Sequence, residues 1–181
     1  MRIKRSAIII YSSFNRKKGM RDAKLITYKN ERYLEMMKML LDDYEEIITV
    51  DMKDIYLNEL YNRDNEERVI RYMYDALKKA KYNKSLIISL SMPLVTQALL
   101  NYMGRVEFQE DVLIPYANNE LQKFCAVYDK GVLNKIEYII EHKKVSLENL
   151  FNNISMRYVF PKDKSMFIDI NKLEKYITYY I

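Results

Sequence analysis

Short apolar runs alternate along the chain with segments of helical periodicity. Residues 8–10 are three consecutive isoleucines, and similar runs occupy 46–50 and 85–90. Continuous apolar runs of this length are typical of strands buried on both faces of a sheet. Between them, residues 33–41 and 64–81 carry apolar side chains every three or four positions, as an amphipathic helix does. This alternation predicts βαβ units, whose strands lie parallel in one sheet.

The second half of the chain predicts a hairpin followed by shorter elements. Residues 112–115 and 123–128 are apolar runs separated by polar residues, which indicates two strands joined by a turn. The other predicted elements are helices over 96–103, 131–141, 146–151 and from 171 onward, strands over 156–160 and 166–170, and helix caps at Asp64 and Ser146. The pattern predicts a single domain, residues 1–181, of the α/β class: three layers with a Rossmann-like, mostly parallel sheet flanked by helices.

Composition narrows the class of protein. Of the 181 residues, 49% are hydrophobic and 30% are charged, which is the balance of a globular domain and not of a disordered chain. The net charge of +5 suits a phosphate-bearing ligand without requiring nucleic acid. The one cysteine, Cys125, excludes an intramolecular disulfide, and its apolar surroundings predict a small buried hydrophobic residue.

The N-terminal sequence bears on location. A basic start at residues 1–5 precedes an apolar run that ends at Ser12, which is too short for a signal peptide. No apolar run approaches the ~20 residues of a membrane span. These features predict a cytoplasmic protein with no membrane partner.

The loop after the first predicted strand carries the candidate ligand site. A buried strand that runs into small hydroxyl residues and then cations presents backbone N–H groups and positive charge to a phosphate. The loop therefore predicts a nucleotide-binding site, and a solvated basic connection is the alternative interpretation. The residues concerned are Tyr11, Ser12, Ser13, Arg16, Lys17, Lys18, Gly19 and Lys24. A second candidate position is Ser91, at the carboxyl end of the third predicted strand, where open α/β sheets place their ligands.

Two other interpretations concern the single histidine and the lysines. His142 lies among charged residues near a predicted helix end, which indicates a solvated side chain and not a catalytic base. The tyrosines together with Lys78, Lys79, Lys81 and Lys84 suggest contacts to single-stranded nucleic acid. We consider nucleic acid an unlikely partner, because most tyrosines follow helix or strand spacing and no nucleic-acid-binding module is recognised.

Four segments carry a resemblance to a known family. IYSSFNRKKGMRDAK (10–24) is similar to the pattern LAGGxSxRMGxDK, and LSMPLVTQALLNYM (90–103) to CDMPFLTPELI. QKFCAVYDKGVL (122–133) is similar to QPLCALYRRxLL, and FIDINKLEKY (167–176) to FxNINTPEDL. These are motifs of the MobA-type molybdenum cofactor guanylyltransferases, which have the nucleotide-diphospho-sugar transferase type of fold. The four motifs occur in the family's order across almost the whole chain.

On the nucleotide side, the resemblance assigns the first loop to GTP or another NTP. Ser12 and Ser13 stand where the family has two glycines, so they add Cβ atoms beside the nucleotide and also add hydroxyl donors. Lys17 takes the place of the phosphate-contacting arginine, with Arg16 beside it. Lys24 resembles the family's lysine, two positions beyond the expected place. Lys17 and Lys24 are therefore the expected catalytic cations.

On the metal and acceptor side, the resemblance places Ser91 at the aspartate that holds Mg²⁺. A neutral hydroxyl is a weaker ligand because Mg²⁺ prefers anionic oxygen. Asp169 could supply the missing carboxylate from the opposite wall of the cleft, or the loop cations could stabilise the leaving group without it. Asp169 and Asn171 stand at the two family asparagines near the acceptor.

The resemblance implies one of two functions. The first is transfer of GMP, or another NMP, from an NTP to molybdopterin or a similar phosphorylated acceptor in molybdenum cofactor biosynthesis. The second is a catalytically impaired relative that binds a nucleotide or a protein partner without transfer, because the metal aspartate is replaced. Base specificity is not implied, since residues 65–71 predict a charged helix where the family has a glycine-rich turn at the guanine pocket.

Overall fold

The computed structural model describes residues 2–12, 31–53, 55 and 63–168. The strands are β1 (Ile3–Tyr11), β2 (Tyr44–Asp51), β3 (Lys84–Ser89), β4 (Val112–Ala117), β5 (Glu120–Leu121), β6 (Cys125–Asp129) and β7 (Met156–Val159). The helices are α1 (residues 31–40), α2 (Arg63–Lys79), α3 (Gln97–Arg105), α4 (Val132–Glu141) and α5 (Leu147–Asn152), followed by a short 3₁₀ helix, Ser165–Phe167.

The described strands form one mixed sheet in the order β2-β1-β3-β6-β4-β5, with β7 also paired to β4. β1 lies parallel to β2 and β3, whereas β6 is antiparallel to both β3 and β4. β4 and β7 are parallel to each other and therefore point in the same direction as β3. Five of the seven described strands share this direction, which confirms the predicted α/β class with a mostly parallel sheet flanked by helices.

β1 lies at the centre of the parallel part of the sheet. Ala7 and the three isoleucines that follow it are fully buried, although successive side chains of a strand point to opposite faces. Both faces of β1 are therefore covered by other parts of the protein. Its partners are aligned in a common register, since Ile8 pairs with Ile48 of β2 and with Ile87 of β3.

β4 and β6 form the predicted hairpin, with β5 in the connection. Asn118 and Asn119 make the two-residue turn between β4 and β5, and both have positive φ, 55° and 62°. A type I′ turn requires this backbone conformation at both positions, and asparagine is one of the few residues that adopt it readily.

Apart from shifts of one or two residues at other element ends, three features differ from the sequence predictions. β1 begins at Ile3, before the isoleucine run, because Ile3 pairs with Tyr44 of β2. The charged Arg5 is tolerated inside this strand because it donates hydrogen bonds to the Met103 and Val106 carbonyls at 2.9 and 2.7 Å. Asp64 lies inside α2 and is not its cap. Residues 166 and 167, predicted as part of a strand, belong to the 3₁₀ helix instead, and the helix predicted from residue 171 lies outside the described residues.

The turn before β4 is joined to β7 and α4 through one carboxylate. Asp111 Oδ2 accepts hydrogen bonds from the Ser155 N–H at 2.6 Å, from Ser155 Oγ at 2.7 Å and from Lys135 Nζ at 2.8 Å. Burial by itself would raise the pKa of Asp111, but these hydrogen bonds outweigh it and hold the pKa below its ordinary value of 3.8.

We expect Asp111→Asn to lower the free energy of unfolding by about 2 kcal/mol at neutral pH, since hydrogen bonds to a charged group are lost. The folded-state pKa is depressed, so the stabilisation is present above pH 3.8 and is lost as the pH falls below it. Urea unfolding from pH 7 to pH 3 should therefore show the variant and the wild type converging at acid pH. The exposed Asp42→Asn is the matched control, and a gap of constant size at every pH would contradict this role for Asp111.

Candidate functional site at the carboxyl edge of the sheet

The ends of β1 and β3 bring two of the predicted site residues to the same edge. Ile10 pairs with Ser89, and the Leu90 N–H donates to the Ile10 carbonyl at 3.0 Å. Ser12 and Ser91 each follow this pair by two residues, and they are 5% and 2% exposed. The structure therefore places both serines where parallel strands of an open sheet end, the usual location of a ligand cleft.

The Ser91 hydroxyl is paired with a second serine that the sequence analysis did not single out. Ser89 Oγ lies 2.9 Å from Ser91 Oγ and also accepts a hydrogen bond from the Ser91 N–H at 3.2 Å. Ser89 is fully buried. The only sequence signal for this pair is the spacing of two small hydroxyl residues at the end of an apolar strand.

The described donors around Ser91 do not fit a magnesium site by themselves. The Ser89–Ser91 pair is neutral, whereas Mg²⁺ is held in proteins mainly by carboxylates and by substrate phosphates. Within the described ranges no three acidic, histidine or cysteine side chains gather in a group that could hold a metal ion. Asp169, the predicted alternative ligand, lies outside the described residues.

Tyr11 supplies a phenol at this edge beside β2. It is half-buried and pairs in register with Asp51. Burial raises the pKa of Tyr11 most, the Asp51 carboxylate raises it further, and Lys38 partly opposes the shift. The phenol is consequently neutral at physiological pH and is able to donate a hydrogen bond.

The segment after β7 turns back toward the loop that follows Ser91. Asn118 Nδ2 donates to the Lys164 carbonyl at 3.2 Å, which fastens this segment to the β4–β5 turn. Thr96, the N-cap of α3, donates through Oγ1 to Met166 Sδ at 3.4 Å. The chain that leads to Asp169 therefore contacts the connection between Ser91 and α3.

Most of the predicted site residues lie outside the part of the chain that the structure describes. Tyr11, Ser12 and Ser91 lie at the carboxyl edge of the sheet. The residues that lie outside the described part of the chain are Ser13, Arg16, Lys17, Lys24, Asp169 and Asn171. Their proposed roles remain predictions.

Cys125 and His142 occupy the environments expected from the sequence. Cys125 is fully buried beside Ile88, and burial raises the pKa of its thiol to about 12. It is thus not a reactive nucleophile. His142 is exposed at the end of α4, where its ring lies 4.0 Å from that of Tyr138. No helix in the described ranges is long and apolar enough to cross a bilayer.

The fold is shared with solved structures. A crystal structure of a protein from Aquifex aeolicus VF5 superposes with a TM-score of 0.69 at 18% identity, covering 92% of each chain. That of molybdopterin-guanine dinucleotide biosynthesis protein A from Archaeoglobus fulgidus gives a TM-score of 0.57 at 16% identity, covering 97% of this chain and all of that one. The crystal structure of a protein named as a nucleotide-diphospho-sugar transferase, from Desulfovibrio desulfuricans G20, gives a TM-score of 0.53 at 12% identity, covering 88% of this chain and 80% of that one. The chain therefore has the nucleotide-diphospho-sugar transferase type of fold.

Sequence comparison narrows the similarity to one group of proteins. No protein-family model matches the chain. A Clostridium perfringens protein named "Probable molybdenum cofactor guanylyltransferase" is 25% identical over 188 aligned positions, which cover 96% of this chain and 95% of that protein. The resemblance recognised in four separate motifs is confirmed by this similarity, which extends over nearly the whole chain.

Proposed function

We propose that the chain is a nucleotidyltransferase that moves GMP, or another NMP, from an NTP to molybdopterin or a similar phosphorylated acceptor. The observation that carries this proposal is the similarity to guanylyltransferases over 96% of the chain. The meeting of Ser12 and Ser91 at the carboxyl edge supports it, because this is where such a sheet binds a nucleotide. A cytoplasmic location is part of the same proposal.

In the proposed reaction, a phosphate oxygen of the acceptor attacks the α-phosphorus of the NTP. The bond between that phosphorus and the oxygen bridging to the β-phosphate breaks, and pyrophosphate leaves with the electron pair. In this proposal the Tyr11 phenol, which pairs in register with Asp51, and the Ser12 backbone would hold the nucleotide at the end of β1. The predicted loop cations Arg16, Lys17 and Lys24 would stabilise the charge that grows on the pyrophosphate.

A second candidate function is nucleotide binding without transfer. The neutral Ser89–Ser91 hydroxyl pair favours it, because the resemblance expects a carboxylate at residue 91. An enzyme that neutralises its leaving group with a metal loses the fixed anchor for that ion when the carboxylate is absent.

Calorimetric titration with GTP, in the presence and absence of Mg²⁺, separates the two functions. For the transferase we expect a Kd between about 1 μM and 1 mM, the usual range of KM values, and tighter binding with Mg²⁺. Titrations with ATP and CTP under the same conditions test the choice of base. Weak binding that is indifferent to Mg²⁺ would favour the non-catalytic relative, and absence of GTP binding would refute both functions as stated.

A substitution at residue 91 tests whether the missing carboxylate limits the rate of transfer. Ser91→Asp restores a carboxylate and should raise Mg²⁺-dependent transfer by about tenfold or more, because the ion gains an anionic ligand. Ser91→Asn is the matched control, since it has the same size as aspartate without the charge. Release of pyrophosphate is the measurement, with thermal unfolding to confirm that both variants fold. Equal rates for the two variants would show that the missing carboxylate is not what limits the reaction.

A further inference from the structure

Three aromatic side chains lie exposed next to one another at the ends of β4 and β7. Tyr116, Tyr158 and Phe160 are 39%, 47% and 72% exposed. The Phe160 ring is central, because its centroid lies 6.3 Å from that of Tyr116 and 6.3 Å from that of Tyr158. A group of large aromatic rings left in water is typical of a binding surface. We call these three residues the aromatic platform.

The platform shares an edge of the sheet with Ser12 and Ser91. β4 and β7 run in the same direction as β3, so Tyr116 and Phe160 lie at the carboxyl ends of their strands. Three strand spacings separate β3 from β7, or ~14 Å in all. The platform therefore lies toward the same edge of the sheet as Ser12, with β3 between it and β1.

Positive charge flanks the platform. Lys162 and Lys164 are exposed and lie two and four positions after Phe160 in the chain. The residue between them, Asp163, accepts hydrogen bonds through Oδ1 from Ser165 Oγ at 2.6 Å and from the Ser165 N–H at 2.9 Å, which lower its pKa and keep it ionised. Residues 162–164 together therefore carry one net positive charge. Neither lysine forms a salt bridge within the described residues. An aromatic surface beside two such cations is complementary to a planar ring that carries a phosphate.

The platform is also connected to the site at Ser91. The segment that carries both lysines is fastened by the bond from Asn118 to the Lys164 carbonyl, and it reaches Thr96 through Met166. A ligand stacked on the platform would therefore lie along a continuous part of the rim that ends at the connection after Ser91.

We propose that the aromatic platform binds a planar fused heterocycle that bears a phosphate, by stacking on Phe160 and by attraction of the phosphate to Lys162 and Lys164. We identify this heterocycle as the pterin ring of the acceptor, an assignment that rests on the proposed function. The guanine of GTP has the same chemistry and is the other source, but the predicted nucleotide-binding residues Tyr11 and Ser12 are at the end of β1, and β3 separates β1 from the platform strands.

The test uses two probes on the same variants. Binding of the acceptor ring is measured with 6-hydroxymethylpterin monophosphate, whose own fluorescence is quenched on binding. Binding of the nucleotide is measured by calorimetry with GTP. Phe160→Ala should weaken the pterin phosphate about tenfold, the usual effect of removing one stacking partner, and should leave the Kd of GTP unchanged. Phe160→Tyr should retain wild-type affinity because it keeps an aromatic face. Tyr102→Ala, which removes a ring that is 56% exposed on α3, is the matched control and should change neither affinity.

Four results would overturn the proposal. The first is that the wild type does not bind the pterin phosphate, and the second is that Phe160→Ala binds it as tightly as the wild type does. The third is that Phe160→Ala loses affinity for GTP and not for the pterin phosphate. The fourth is a wild-type dimer, seen in sedimentation, that Phe160→Ala converts to a monomer. The last would identify the platform as an interface between two copies of the chain.

The two proposals can fail separately. If the wild type transfers GMP but its affinity for the pterin phosphate does not depend on Phe160, the proposed role of the platform is wrong and the proposed transferase function stands. If Phe160→Ala loses affinity for the pterin phosphate but the wild type neither binds GTP nor transfers GMP, the proposed role of the platform stands and the proposed transferase function is wrong.

Discussion

Burial of β1 between β2 and β3 is the constraint on which the described site depends. Ile8, Ile9 and Ile10 are fully buried, and each such side chain contributes about 1.5–3 kcal/mol relative to an exposed position. The backbone of β1 is paired with a strand on each side. The end of β1 consequently has a fixed position relative to the end of β3, which brings Ser12 and Ser91 to the same edge of the sheet.

The side chain at residue 91 differs in charge, more than in position, from the carboxylate that the resemblance expects there. Ser91 stands at the end of the expected strand, but its hydroxyl is satisfied by Ser89 and carries no charge. In the proposed function, charge stabilisation falls to the predicted loop cations, and ring recognition falls to the aromatic platform beyond β6. The described parts of this proposal, Ser12, Ser91 and the platform, all lie toward the carboxyl ends of parallel strands.

Elements with a clear pattern in the sequence were predictable, and features that depend on which side chains meet were not. The strand β1 is marked by a continuous isoleucine run, and the Ser146 cap, which accepts from the Asn149 N–H at 3.0 Å, is marked by a hydroxyl residue before a helical segment. The true start of β1 was missed because buried Arg5 is satisfied about a hundred positions away in the chain. The same holds for the site: strand ends located Ser12 and Ser91, whereas the Ser89 partner and the platform around Phe160 depend on how side chains meet after folding.

The most direct test of the central claim is the transfer reaction itself. The purified chain is incubated with GTP, Mg²⁺ and molybdopterin, and the products are identified by mass spectrometry together with pyrophosphate release. The account predicts a joined product that is heavier than the acceptor by one GMP residue, formed in equal amount with pyrophosphate. Bound GTP that stays intact, with no joined product even for Ser91→Asp, would contradict it.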